Sequence, residues 1–204
     1  MKVVELIIDE EDFDSGVDCI SIVEHPAIEE NWIALADEKK QFEFKEIDED
    51  QRILIGALLV PNKTIYRRDT PTEDPYYIFF NKDTVKLASE LYMQRGYQNN
   101  ASYEHIEKIK GLTLVESWIV ESKEQDKSNI YDLNLPVGTW VGAVKVHNEK
   151  IWTEIKESGT LNGFSIEGMF GEKYQTQVKA RKQEIEDGLK LLKIKQTLIE
   201  NEQF

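Results

Sequence analysis

Ser165 lies in the stretch TLNGFSIEGMF, residues 160–170, where one hydroxyl stands among apolar residues and between two glycines. A hydroxyl held on a rigid strand beside a groove acts as a nucleophile if a base reaches its Oγ atom. The same pattern also fits an ordinary serine on the exposed face of a strand. It does not match the GxSxG nucleophile elbow, because Gly168 is one residue too distant, so an α/β-hydrolase is disfavoured.

His105, in the stretch ASYEHIEKIKG, is the best-placed candidate base. We predict a strand around residues 103–107, a short turn, and a second strand from Leu112 to Val120 that returns antiparallel beside the first. Glu116 would then lie next to His105 and orient its imidazole, which predicts a triad completed by Ser165. The alternative is a surface histidine and a surface glutamate on a β-hairpin.

The other two histidines are less suited to act as a base. His147 follows a predicted strand and precedes a predicted helix, where a capping or surface role is natural, and His25 precedes Pro26 in an acidic segment. Three histidines without HxxxH or CxxC spacing do not predict a metal site. Neither GxxxxGK[ST] nor GxGxxG occurs, so a nucleotide-dependent enzyme is disfavoured, and we expect no cofactor and no metal.

The formal net charge of −14 comes almost entirely from the N-terminal quarter of the 204 residues. Residues 1–50 contain 17 acidic and 4 basic side chains, which gives −13 for this segment. An acidic chain is a poor partner for nucleic-acid phosphates or for anionic membranes. We interpret the acidic segment as a solvated surface; the alternative is a segment that meets a basic partner or regulates the domain behind it.

Cys19 is the only cysteine, so no internal disulfide can form and a reducing compartment is expected. Its acidic neighbours would raise the pKa of its thiol, which disfavours Cys19 as a nucleophile. No apolar run has the length of a membrane span, and the N-terminus lacks the layout of a signal peptide. These features predict a soluble, intracellular protein.

The remaining patterns predict the elements that position these residues. Strands are predicted in MKVVELIID, in the run before Pro26, and in QFEFKEI, RILIGALLV, TIYRRD, YYIFF, LTLVESWIV, TWVGAVKV and TLNGFSIEGMF. A helix is predicted between Asn81 as its N-cap and Gly96 as its end, and a shorter one between Asn148 and Gly159. A C-terminal helix is predicted beyond Gly171. Together these elements predict an α+β domain made mainly of antiparallel strands.

Four blocks of the sequence occur in an order that resembles the XkdF-like branch of the phage prohead (capsid maturation) serine proteases. The blocks are GALLVPNKTIYR, YEHIEKIKGLTLVESWIVE, DLNLPVGTWVGAVKV and GTLNGFSIEGMF. They lie between about residues 52 and 170, more than half of the chain, and the upstream SIVEHPAIEENWIAL resembles the leader of the same branch. The resemblance implies a herpesvirus-protease-like fold, a small β-barrel flanked by helices.

The resemblance also implies a serine nucleophile and a histidine base that precedes it. These map onto Ser165 in GFSIEG and His105 in YEHIE. The herpesvirus enzymes take their third member from a histidine after the serine, and no histidine follows Ser165 in this sequence. Glu116 is therefore the predicted third member of the triad.

As to function, the resemblance implies a serine endopeptidase that cleaves scaffold and major capsid proteins in the host cytoplasm, inside the assembling procapsid. The predicted units are an acidic N-terminal segment (1–50), a protease domain (51–172) and a helical tail (173–204), with both ends packed less tightly than the middle. No nucleic-acid or membrane partner is expected, and self-association is left open.

One alternative is a catalytically inactive β-domain that serves as an assembly or scaffolding factor. Another is a binding module that uses its tryptophans as ligand contacts, although these residues suit a core or interface better: Trp32, Trp118, Trp140 and Trp152.

Overall fold

The computed structural model of this protein describes most of the chain between residues 2 and 173. The described residues are 2–24, 45–48, 52–68, 70, 72, 74–158 and 163–173, together with the isolated positions 181, 183 and 190. His25, Trp32 and nearly all of the predicted C-terminal helix lie outside this set.

The described elements comprise twelve strands, two α-helices and two short 3-10 helices. The strands are β1 (Val3–Ile7), β2 (Gly16–Val23), β3 (Lys45–Asp48), β4 (Ile53–Leu59), β5 (Ile65–Arg67), β6 (Tyr76–Phe80), β7 (Ala101–Tyr103), β8 (Glu107–Ile109), β9 (Leu112–Ile119), β10 (Trp140–Val146), β11 (Gly163–Met169) and β12 (Gly171–Glu172). The α-helices are α1 (Lys82–Gln94) and α2 (Glu149–Ser158), and the 3-10 helices are Tyr97–Asn99 and Lys127–Tyr131.

The strands form three four-stranded sheets, with the orders β12-β1-β6-β5, β3-β4-β10-β9 and β11-β2-β7-β8. The pairs β1–β6 and β2–β7 are parallel, and the other seven pairs are antiparallel. The predicted α+β class, made mainly of antiparallel strands, is therefore confirmed. The described strands close no barrel, so the β-barrel and the herpesvirus-protease-like fold stay predictions.

Local signals place the two helices where the sequence predicts them. Asn81 caps α1, because its side-chain oxygen accepts a hydrogen bond from the Thr84 N–H at 2.7 Å, and Gly96 follows the helix in a left-handed conformation with φ +76°. Asn148 caps α2 by accepting from the Ile151 N–H at 3.3 Å. No helix in the described part of the chain is long and apolar enough to cross a membrane.

The larger of two hydrophobic cores among the described residues joins the three sheets and both helices. At its centre the rings of Tyr92 and Trp140 are fully buried and meet edge to face, with centroids 5.5 Å apart. The Trp140 indole N–H donates to Ser117 Oγ at 2.9 Å, and the Tyr92 hydroxyl donates to the Asn100 carbonyl oxygen at 3.2 Å. Both polar atoms thus keep a partner when their rings are buried, as aromatic residues in cores require.

The N-terminal strands belong to this core. Val4 of β1 and Val17, Ile20 and Ile22 of β2 are buried in the same cluster as the helices and the central strands. The prediction that the first 50 residues pack less tightly than the middle is therefore wrong for β1 and β2. The acidic residues of this region lie largely in the loop between β1 and β2 and at exposed positions. The net charge of the segment therefore did not predict how deeply its two strands are buried. The division of the chain at residues 50 and 172 stays a prediction.

Candidate active site

Ser165 lies on β11, an edge strand that pairs with β2 among the described strands. It is buried, with 5% relative exposure, so its interpretation as an ordinary serine on an exposed face is wrong. A β-bulge follows between Glu167 and Gly168. A Cβ atom at Gly168 would clash with the Gly16 carbonyl oxygen, so this glycine allows β11 to approach β2 closely.

His105 lies at the tip of the hairpin formed by β7 and β8. The Ile106 N–H donates to the Tyr103 carbonyl oxygen at 2.9 Å, which closes a four-residue turn. Glu104 and His105, the two central residues, have φ values of +49° and +57°. Residues 103–106 therefore form a tight turn between β7 and β8, and the continuous strand that the sequence predicts over residues 103–107 is wrong.

This turn requires backbone angles that L-residues adopt at a cost of about 1–2 kcal/mol each. Contacts with β2 hold it: the Glu104 N–H donates to the Ile22 carbonyl oxygen at 3.0 Å, and the His105 N–H donates to Ser21 Oγ at 3.1 Å. The Glu104 carboxylate in turn accepts from the Glu24 N–H at 2.5 Å. Strained turns that persist under such support are common at functional sites.

Glu167, and not Glu116, is the carboxylate in contact with His105. The distance from His105 Nδ1 to Glu167 Oε1 is 3.2 Å. The same carboxylate oxygen accepts a hydrogen bond from Ser102 Oγ. Because Glu167 follows Ser165 by two residues on β11, the two side chains lie on the same face of the strand.

Glu116 lies in a different sheet. It is on β9, which pairs with β10, and its carboxylate forms an ion pair with Lys127. The predicted antiparallel pairing of residues 112–120 beside His105 is therefore wrong. β9 pairs with β10 instead, along seven register positions. The contact continues before the start of β9, where the Gly111 carbonyl oxygen accepts the His147 N–H at 2.6 Å.

A row of serines connects the two ends of the candidate site. Ser165, Ser21 and Ser102 are register partners across β11, β2 and β7, so their side chains lie on one face of the sheet. Ser21 Oγ, which accepts the His105 N–H, also donates to the Ser102 carbonyl oxygen at 3.4 Å. Ser21 therefore stands directly between the strand of the candidate nucleophile and the turn of the candidate base.

Three residues of this arrangement are not predicted from the sequence: Glu167, Ser21 and Ser102. The spacing of Ser165 and Glu167 is a signal that could have identified Glu167, since residues two apart on a strand share a face. No comparable signal exists for Ser21 and Ser102, which are 81 positions apart and meet through a parallel pairing.

The other titratable residues near this site do not provide a second nucleophile or a metal centre. Burial raises the pKa of Cys19 to about 11, and the negative charge of Glu167 adds to this effect, so the thiol stays protonated near neutral pH. His147 follows β10, as predicted, and contacts the loop before β9 through its main chain. In the described part of the chain no cluster of three or more His, Cys, Asp or Glu side chains could hold a metal ion.

The structure brings His105 and Glu167 into contact and places Ser165 on the same strand as Glu167, but among the hydrogen bonds of the described residues none joins the side chains of Ser165 and His105. The predicted contact between these two side chains therefore stays a prediction. A serine, a histidine and a carboxylate are the side chains that serine hydrolases use. The chain belongs to a family of phage serine proteases, because the family model described as "Putative phage serine protease XkdF" matches residues 39–174. The matched range contains the candidate residues His105, Glu116, Ser165 and Glu167, whereas β1 and β2 precede it. Among curated proteins and among solved structures, no significant match to the chain was found.

Proposed function

We propose that this protein is a serine endopeptidase in which Ser165 is the nucleophile, His105 the general base and Glu167 the acid that orients His105. The observation that carries this proposal is the 3.2 Å contact between His105 Nδ1 and Glu167 Oε1, with Ser165 on the same strand as the carboxylate. Membership of a phage serine protease family supports a peptidase of this kind.

The contact between His105 and Glu167 determines which ring nitrogen does the chemistry. A carboxylate that accepts the Nδ1–H fixes the tautomer in which Nε2 carries the lone pair. Nε2 then takes the proton of Ser165 Oγ as this oxygen attacks the peptide carbonyl. The charge of Glu167 stabilises the imidazolium that results.

The same groups complete the reaction. His105 returns the proton to the nitrogen of the departing amine, and the scissile C–N bond breaks to leave an acyl ester on Ser165. Water then attacks this ester with His105 again acting as base, which releases the second product and restores the Ser165 hydroxyl.

β2 supplies the contact that aligns His105 in this mechanism. Ser21 is fully buried and its Oγ accepts the main-chain N–H of His105 at 3.1 Å. A main-chain hydrogen bond at the residue that carries the base controls where the imidazole lies relative to Ser165. Misplacement by about 1 Å can cost about a hundredfold in rate, so Ser21 acts as a positioning residue.

We therefore expect Ser21→Ala to lower kcat by at least tenfold, because the His105 turn loses its hydrogen bond to β2. Ser89→Ala is the matched control: Ser89 is also buried, and its Oγ donates to the Lys86 carbonyl oxygen within α1, so this change removes a buried hydroxyl without removing a hydrogen bond to His105. Both changes should lower the melting temperature slightly, and only Ser21→Ala should lower kcat at saturating peptide. Equal kcat values in the two variants would show that Ser21 is structural only.

We further propose that the protease acts in prohead maturation, with the major capsid protein and the scaffold protein as substrates inside the assembling procapsid in the host cytoplasm. The phage origin of the family supports this role. The negative net charge of −14 agrees with a protein partner in place of nucleic acid. We also propose that the fold is related to that of the herpesvirus proteases, as the order of the four sequence blocks suggests.

Co-expression with the neighbouring capsid and scaffold proteins tests this role. We expect mass spectrometry to find shortened capsid or scaffold chains with the wild type and full-length chains with Ser165→Ala. Shortened chains in both cases would exclude Ser165 as the nucleophile. Full-length chains in both cases, with particles forming only when this protein is present, would favour a catalytically inactive assembly factor.

A further inference from the structure

A cavity of about 580 Å³ lies beside Ser165, between β11, the end of β4 and the sheet that contains β1, β5 and β6. Its wall combines aliphatic and aromatic side chains with charged ones: the apolar residues include Leu58, Ile65, Ile78, Phe80, Ile166 and Phe170, and the charged residues are Arg67, Glu167 and Glu172. Its volume lies in the range of about 300–1,000 Å³ that is typical of ligand sites. The apolar part of this wall favours hydrocarbon groups, because a charged group placed against it would lose its hydration.

β11 presents its edge to this cavity. Four consecutive residues of the strand, 165 to 168, line the cavity, whereas a strand seen face-on would contribute alternate residues. β11 pairs with β2 on one side, and no other described strand pairs with its second edge. The main-chain groups along that edge can therefore pair with an extended peptide, as in other cases of strand addition.

The cavity and the candidate catalytic residues are continuous. Ser165 and Glu167 belong both to the cavity wall and to the sheet face that carries the contact with His105. A peptide that lies along the edge of β11 therefore brings its carbonyl groups to Ser165, and a neighbouring side chain of the same peptide enters the cavity.

We propose that this cavity is a specificity subsite that receives a bulky apolar side chain of the substrate, Leu, Met or Phe in type, within two residues of the scissile bond. The substrate main chain adds to the free edge of β11. This inference rests on the proposed role of Ser165 as the nucleophile. It adds a substrate class to that role: extended segments with a large hydrophobic residue beside the cleaved bond.

The test is a library of fluorogenic peptides in which each position within two residues of the scissile bond is varied among Phe, Leu, Ala and Asp. At one position we expect kcat/KM to be at least tenfold higher for Phe or Leu than for Ala or Asp. Discrimination of about 10–200-fold is the usual range for small differences in an apolar pocket. A profile with no apolar preference at any position would overturn the proposal.

A pair of neighbouring variants relates the preference to this cavity. Phe170 lines the cavity and packs edge to face on Phe80 with ring centroids 4.8 Å apart, whereas Met169 is 61% exposed and is not part of the wall. We expect Phe170→Ala to shift the preference about tenfold towards Trp, and Met169→Ala to leave it unchanged. If Phe170→Ala does not fold, the wild-type profile still decides the proposal.

Labelling with a small fluorophosphonate separates the failure of the subsite from the failure of the proposed function, because this reagent reacts with an activated serine without filling a side-chain subsite. Labelling of Ser165 together with equal kcat/KM values for all residue types at every varied position would overturn the subsite alone. Absence of both labelling and cleavage in the folded protein would overturn the nucleophile, and with it the subsite. Labelling together with an apolar preference is the expected result.

Discussion

Ser165→Ala and His105→Asn should each abolish peptide cleavage and leave the protein folded. In subtilisin, loss of the serine or the histidine lowers kcat by roughly a millionfold, and removal of further triad members adds little because they act as a unit. We therefore expect the double variant to be no slower than either single variant. The measurement is product formation by mass spectrometry alongside a thermal melt of each protein.

Asn is the replacement of choice at position 105. The φ value of +57° there is one that Asn adopts readily, so His105→Asn preserves the turn while removing the base. The serine change removes one buried hydroxyl and leaves no hydrocarbon cavity, so its effect on stability should be about 1 kcal/mol. Full activity in a folded Ser165→Ala protein would refute the mechanism.

Glu167→Gln should slow the enzyme strongly, and Glu116→Gln should not. Replacing the acid of a serine protease triad by its amide lowers kcat by up to about 10⁴-fold, because the amide favours the wrong histidine tautomer. Glu116 instead lies on β9, in another sheet, and forms an exposed ion pair with Lys127. Pairs of this kind contribute about 0–1 kcal/mol to stability. Its loss should leave kcat within about twofold of the wild type.

The two glutamine variants control for one another, since each removes one carboxylate charge with almost no change in shape. Cleavage rates at saturating peptide, with melting temperatures measured in parallel, compare them directly. A large loss in Glu116→Gln with little change in Glu167→Gln would reverse the assignment of the acid. Equal small losses would mean that neither carboxylate orients His105.

Local patterns in the sequence determined most of the individual elements. Alternation of apolar residues identified β1, and runs rich in β-branched and aromatic residues identified β6, β9 and β10. The ends of α1 followed from Asn81 and Gly96, whose cap and left-handed conformation depend on a few neighbouring residues only. The ordered blocks likewise identified the protease family and, within it, the candidate residues His105 and Ser165.

Only the tertiary structure decided which strands are neighbours. β2 lies between β11 and β7, and it pairs with β7 in parallel although Ser21 and Ser102 are 81 positions apart. Strand propensity does not encode a partner, because any two strands of suitable pattern can pair, and the choice depends on which arrangement buries the shared core. The acidic composition of the first 50 residues concealed that β2 contributes Ile20 and Ile22 to that core.

The tertiary structure also decided which carboxylate lies beside His105. The sequence favours Glu116, because a hairpin between neighbouring strands is the simplest connection. In the structure β9 pairs with β10, and the tight turn at residues 103–106 places His105 against Glu167. The sequence by itself therefore determined the nucleophile and base candidates and the family. The carboxylate beside His105, the support from Ser21 and the cavity beside Ser165 follow from long-range packing, because the residues that form them are distant in sequence and meet only when the three sheets pack together.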